Sequence, residues 1–275
     1  MQNERHSKAA GRQAIEAAEI ARLAQRAIAV LAADRPGRTE ALKLRWVQLC
    51  DAFIAAEEDR RHDMLLRLRQ DGIKPTEIID HIVPAVAQQM GERWFADEIS
   101  FADVTIGAAR LQETVRSLSW HDIGRSASSI DAPTILLVIP RGEHHTLGAF
   151  VLADQLRRRG YRVDVAVDRH PRQLHEMLRS KRYRMVGITV SGRRTLASAR
   201  ELVDIIRLTV TSVTPIVIGG AILDKGYDVI ALSGADHIAR DAGSALRRCG
   251  LKALVSSEGP LQELEGLAGE RMDRL

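Results

Sequence analysis

Thr134-Ile135-Leu136-Leu137-Val138-Ile139-Pro140-Arg141-Gly142-Glu143-His144-His145-Thr146-Leu147-Gly148 is the stretch whose reading decides the fold. Its first part is apolar without alternation and rich in branched side chains, the pattern of a strand covered on both faces in a parallel sheet. Pro140 and Gly142 stop that run, and from Leu147 to Arg159 apolar residues return at helical spacing. Strand, short polar loop and amphipathic helix follow one another. Glu143, His144 and His145 therefore fall at the carboxyl end of a buried strand, where open α/β sheets bind their ligands.

Downstream, Val/Ile-rich runs near 162–167, 184–190, 215–218 and 236–239 alternate with helical patterns, and 260–275 offers one more helix. The sequence predicts an α/β domain, a flavodoxin-like doubly wound parallel sheet of order 2-1-3-4-5. In that order the loops after strands 1, 3 and 4 meet where the winding reverses. Ser191-Gly192-Arg193 follows the third strand and Gly219-Gly220-Ala221 the fourth, so histidine, serine and glycine pair face one cleft.

Upstream the chain reads as helical. Patterns at 38–56, 58–71, 75–94 and 100–118 are separated by Asp71-Gly72 and Lys74-Pro75, and Ser100-x-x-Asp103 resembles a capping box. An alanine-rich amphipathic helix is expected over 12–33, stopped by Asp34-Arg35-Pro36-Gly37, and 121–132 is small and polar like a linker. The expected organisation is an N-terminal helical extension (1–37), a four-helix bundle (38–120), a linker (121–132) and the sheet domain (133–275).

At 275 residues and 45% hydrophobic content the chain can fill two modest cores. No apolar run nears the roughly 18 to 20 residues of a membrane span, and the start lacks a signal peptide's apolar region, so a cytoplasmic protein away from membranes is expected. Cys50 and Cys249 stand far apart without metal spacing. The 40 basic and 36 acidic residues make a mixed surface, and the clusters Arg157-Arg158-Arg159, Lys181-Arg182 with Arg184, and Arg247-Arg248 fall at predicted helix ends, where cations complement the dipole. Aromatic content of 4% is poor material for base stacking, and direct DNA contact stays open. The chain carries no GxGxxG after a strand, GxxxxGK[ST], GxSxG or HExxH, so hydride transfer, nucleotide hydrolysis and acyl transfer lose their usual markers.

Taken together, Glu143-x-His145-x-x-Gly148, Ser191 and Gly219-Gly220 resemble the cobalamin-binding domain, whose motifs are Asp-x-His-x-x-Gly, Ser-x-Leu and Gly-Gly. The resemblance implies that His145 ligates cobalt in place of the corrinoid's own dimethylbenzimidazole base. The displaced nucleotide tail would then insert between the strand ends, with Ser191, Gly219 and Gly220 lining its slot. The residue types suit those roles: neutral imidazole is a good cobalt donor, and glycine lets a bulky group approach the backbone. Glu143 stands where aspartate is usual, one methylene longer, as acceptor for the other imidazole N–H. Arg193 replaces the usual leucine. Alone, His145 would read as a surface histidine, Gly148 as a site of close helix–strand packing and Gly219-Gly220 as a tight turn; His144 is read as a solvated neighbour.

A helical bundle before such a domain is part of the same resemblance, which spans about residues 38–250. In related proteins the bundle caps the upper face of the corrin with a tryptophan, and Trp94 in Met90-Gly91-Glu92-Arg93-Trp94 holds that place; periodicity alone favours the bundle core for it, and the resemblance brings the two readings level. Light-sensing relatives that store adenosylcobalamin carry Glu-His ten and eleven residues later. Here those residues are Val104 and Thr105, which favours hydroxo-, aquo- or methylcobalamin over the adenosyl form. The whole layout is similar to the AerR/PpaA antirepressors of photosynthetic bacteria. Membership implies a cobalamin-binding, light-responsive transcription regulator and photoreceptor, not an enzyme, that contacts a DNA-binding repressor of the CrtJ/PpsR type and controls photosystem genes. The exposed face of 12–33 is a candidate contact, unless that helix packs on the bundle. Alternatives are a corrinoid methyl carrier of a methyltransferase system, a haem sensor with His145 as axial ligand, and an adaptor without cofactor.

Overall fold

The computed structural model describes residues 38–123, 132–210 and 214–254. The chain divides into two compact units, Met1–Asp122 and Ile123–Leu275. The helix expected over 12–33, most of the linker and the helix expected in 260–275 lie outside the described residues.

The first unit is helical: α1 (Arg38–Ile54), α2 (Glu58–Gln70), α3 (Pro75–Glu77), a π-helical turn (Ile78–Ile82), α4 (Val83–Phe95) and α5 (Phe101–Ile123). Phe53, Leu68, Ile78, Val86, Met90 and Leu111 are among its buried side chains. Ser100 and Asp103 close the expected capping box, each backbone N–H donating to the other's side chain at 2.8 and 3.1 Å. The single helix expected over 75–94 is broken, and Pro84 gives the reason. Its nitrogen has no hydrogen to donate and its ring crowds the carbonyl four residues back, so the preceding turn widens, with Val83 N–H reaching Ile78 O.

The second unit is the doubly wound sheet. β1 (Thr134–Ile139), β2 (Arg162–Val167), β3 (Tyr183–Thr189), β4 (Ile216–Gly219) and β5 (His237–Ile238) pair in parallel in the order β2-β1-β3-β4-β5. Helices α6 (Leu147–Arg158), α7 (Pro171–Ser180), α8 (Arg193–Thr209), α9 (Val229–Ser233) and α10 (Ala242–Arg248) run between and after the strands. Alternate residues build one core on each face. Leu136, Val138, Ile188 and Ile218 pack with α7 and α8 residues such as Leu174 and Val203, while Ile135, Leu137, Met185 and Val217 pack with Leu156 of α6 and Ala245 of α10. The basic cluster at the end of α6 is largely committed to its own fold: Arg157 donates to Val163 O at 2.9 Å and Arg158 pairs with the buried Asp154 at 2.7 Å. Among the described residues, no helix is long and apolar enough to cross a membrane.

Candidate functional site

Beyond β1, Glu143 N–H donates back to Pro140 O at 3.1 Å, and Gly142 takes the positive φ of 75° that this turn requires. The turn carries Glu143 inward, leaving its side chain 1% exposed. A buried carboxylate is costly unless donors surround it, and here they come from two loops. Oε1 accepts from the His145 backbone at 2.8 Å and from its ring Nδ1 at 3.0 Å. Oε2 accepts from Ser191 N–H at 2.8 Å and from Thr195 Oγ1 at 2.9 Å, and the Ser191 hydroxyl lies 2.8 and 2.7 Å from the two oxygens. Burial pushes the pKa up, yet the donors from His145, Ser191 and Thr195 override it and bring Glu143 down to about 2. The extra methylene lets one carboxylate reach both loops.

The His145 side chain is 80% exposed. An ionised carboxylate only accepts, so Nδ1 carries the proton in its contact with Glu143, and in the neutral tautomer Nε2 is the nitrogen with the lone pair. His144 is exposed. Among the described residues, no three His, Cys, Asp or Glu side chains gather as a bare metal ion would need. A lone oriented imidazole suits a metal whose other donors come from a macrocycle.

Close packing does not explain Gly148, because a Cβ there would have nothing within 4 Å. The same holds at Gly192. Gly219 and Gly220 are another matter. A Cβ on Gly219 would stand 2.9 Å from Ala239 O, and one on Gly220, at φ 101°, would stand 2.5 Å from Val190 O. The chain's own backbone thus requires both glycines where β4 ends between β3 and β5. Gly220→Ala is expected to cost at least about 2 kcal/mol, from the positive φ and the clash with a backbone oxygen that cannot swing away. Urea denaturation checks this, and an unchanged midpoint would contradict it.

The Ser191 hydroxyl is turned to Glu143. Thr195, buried in the first turn of α8, completes the cluster and is a residue that motif reading misses, although a hydroxyl in the first turn of the helix after the serine loop was a visible signal. Thr189 was missed too: at the end of β3, its buried Oγ1 has no hydrogen-bond partner. In the helical unit, Trp94 does not belong to the bundle core. It is 48% exposed, its ring centroid 6.1 Å from that of Phe101, beside Phe95 at 92%. Val104 and Thr105 lie on α5, and the Thr105 hydroxyl is spent on Phe101 O at 2.8 Å.

These features fit a corrinoid: an imidazole fixed by a buried acid, open space at Gly148 and Gly192, and an orphaned hydroxyl at a strand end. Comparison with known proteins agrees. Residues 133–249 match the B12 binding domain family. An uncharacterized 20.5 kDa protein of Rhodobacter capsulatus, in the bchF-crtJ intergenic region, is 33% identical over 165 residues, covering 60% of this chain and 86% of that protein. The Methanosarcina barkeri monomethylamine corrinoid protein shares the fold, with a TM-score of 0.55 and 17% identity over 72% of this chain and 93% of its own.

Proposed function

This chain belongs to the B12-binding domain family, and on that premise we propose that it is a cobalamin-binding, light-responsive transcription regulator, an antirepressor rather than an enzyme. The observation that carries the regulatory reading is its 33% identity to a protein in the bchF-crtJ intergenic region, across 86% of that protein. The partner that follows is a DNA-binding repressor of the CrtJ/PpsR type.

Cobalamin, when bound, would supply a light-sensitive cobalt centre. The chain's own residues hold and report it. His145 Nε2 would donate to the cobalt, and Glu143 fixes the imidazole. Ser191 and Thr195, on the loop and helix after β3, share that carboxylate, so a change in the pull on His145 reaches α8 through two hydroxyls. Trp94, with Phe101 beside it, is an exposed aromatic pair on the helical unit. Val104 and Thr105 bring neither acid nor imidazole, which supports a hydroxo, aquo or methyl form. A cap with two packings would turn ligand state into partner affinity.

The test is repressor occupancy of promoter DNA, followed by electrophoretic mobility with purified protein loaded with hydroxocobalamin, in darkness and after illumination. The expected result is a light-dependent change of at least about 5-fold in repressor binding, in the usual range of coupling between two sites. An unaltered repressor, together with methyl transfer from the loaded protein to an acceptor, would replace this reading with the methyl carrier, which the likeness in fold to the Methanosarcina barkeri protein supports. A shift produced by this protein alone would reveal direct DNA contact.

A further inference from the structure

We propose that the carboxyl edge of β2, β1 and β3 is a docking surface for an acidic face of a protein partner, with Arg169, Arg193 and Arg194 as its anchors. The inference rests on the regulatory reading and gives it a contact surface. The three loops form one edge. Arg141, after β1, donates to His170 Nδ1 at 3.2 Å and pairs with Asp168 at 3.3 Å, both after β2, while Glu143 accepts from the Ser191 N–H after β3 at 2.8 Å. These loops and the first turns of the helices they open carry Arg141, Arg169, Arg172, Arg193 and Arg194, all exposed, against one exposed carboxylate, Asp168. After β4 and β5 the balance reverses, with Asp224, Asp228 and Asp241 against Lys225 and Arg240.

The fold does not account for these cations. Arg193 and Arg194 are the first two residues of α8, where the positive end of the helix dipole disfavours them. The opposite order stands in α2, with Glu58 and Asp59 in the first turn and Arg67 and Arg69 in the last. Among the described residues Arg169, Arg193 and Arg194 meet no carboxylate, whereas Arg157 and Arg158 of α6 are committed to their own domain. Arg172 has Glu176 one turn on, but both side chains are more than half exposed and such a pair adds little. Arginine is the cation that interfaces favour, because its fork takes a carboxylate through two parallel hydrogen bonds and gives up water more readily than lysine. A protein face fits better here than duplex DNA. A duplex presents one charge per roughly 1.7 Å of axis, and Asp168, exposed inside the patch, would lie against that crowd of phosphates. Carboxylates spaced over a protein surface leave room for it. The same loops carry Glu143 and His145, so a partner docked on them borders the proposed cobalt ligand.

The test compares the full chain loaded with hydroxocobalamin, the double variant Arg193→Ala/Arg194→Ala and, from the other half of the edge, Lys225→Ala. Binding to purified repressor is read by biolayer interferometry at low and at moderate salt. The double variant is expected to bind the repressor about 10-fold to about 30-fold more weakly at low salt, the loss of two interface arginines, and to lose most of the salt dependence that wild type shows. Lys225→Ala should stay within about 2-fold of wild type, as a surface change outside the patch. Cobalamin affinity of the double variant should hold within about 2-fold and its melting temperature within about 2 °C. Wild-type repressor affinity and salt dependence in the double variant would overturn the proposal, as would an equal loss of cobalamin affinity. So would a wild type that shifts promoter DNA on its own through the same two arginines, because the partner of the patch is then the phosphate backbone. A wild type that binds cobalamin but not the repressor refutes the regulatory reading itself, and this proposal with it.

Discussion

His145→Ala should leave the protein folded and abolish its cobalt ligation, with hydroxocobalamin affinity falling at least about 100-fold. Groups that hydrogen-bond to a metal ligand are each worth roughly 10-fold to 100-fold in affinity, so the ligand itself should stand at or above the top of that range. The fold should hardly notice. The ring is 80% exposed, and the backbone N–H at position 145, which alanine retains, still donates to Glu143 Oε1. Circular dichroism melting within about 2 °C of wild type, combined with loss of the spectral change on titration, is the expected pair of results. Free imidazole added to the variant should restore part of the spectrum by occupying the emptied lower position. Retention of corrinoid at wild-type affinity would show that the donor lies elsewhere, and a porphyrin spectrum from protein isolated as purified would move His145 to haem.

The sheet was legible because its strands are short, branched and buried on both faces. The expected strand at 162–167 is β2 to the residue, and 134–140, 184–190 and 215–218 fall within one residue of β1, β3 and β4. The sheet order came with the flavodoxin-like reading of the alternating strands and helices, and the strands pair in it. Where periodicity misled, the reason is where a helix ends. Trp94 stands one turn beyond the buried Met90 on the same stripe, but α4 stops at Phe95, and beyond Met90 the stripe runs out of covering side chains. The site was legible as a motif and less so as a set of contacts. Spacing brings Glu143, His145 and Ser191 to one rim, yet spacing does not say which hydroxyl faces the acid. Ser191 reads by position as lining a slot, whereas its proton and that of Thr195 go to Glu143. Gly148 and Gly220 look alike in sequence. Only the backbone separates a glycine that the chain's own carbonyl demands from one whose Cβ would meet none of the described residues.

The acid should matter to stability as much as to ligation, and Glu143→Gln separates the two. With a folded pKa of about 2 against an ordinary 4.5, Glu143 favours the folded state at every pH above 4.5, and this contribution fades as pH falls from 4.5 toward 2. Because the side chain is 1% exposed, solvent screening is weak, and the difference corresponds to about 3 kcal/mol. Glu143→Gln keeps the length and loses the charge, and its amide would set N–H groups against the Ser191 and Thr195 donors. At neutral pH the variant is expected to be about 3 kcal/mol less stable in urea, a gap that narrows as pH falls from 4.5 toward 2, because the unfolded glutamate protonates first and the folded one only near pH 2. Asp103, Asp164 and Asp236 also have lowered pKa values, so wild-type acid unfolding alone would mix their effects; the difference between the two proteins isolates Glu143. Cobalamin affinity should fall roughly 10-fold to 100-fold in the same variant, since a glutamine oxygen binds the imidazole N–H more weakly and leaves Nε2 a poorer donor. A stability gap that persists unchanged to pH 2 would mean the cost was steric rather than electrostatic. Full stability with reduced cobalamin affinity would mean that the carboxylate serves the ligand alone and that the two loops hold together without it.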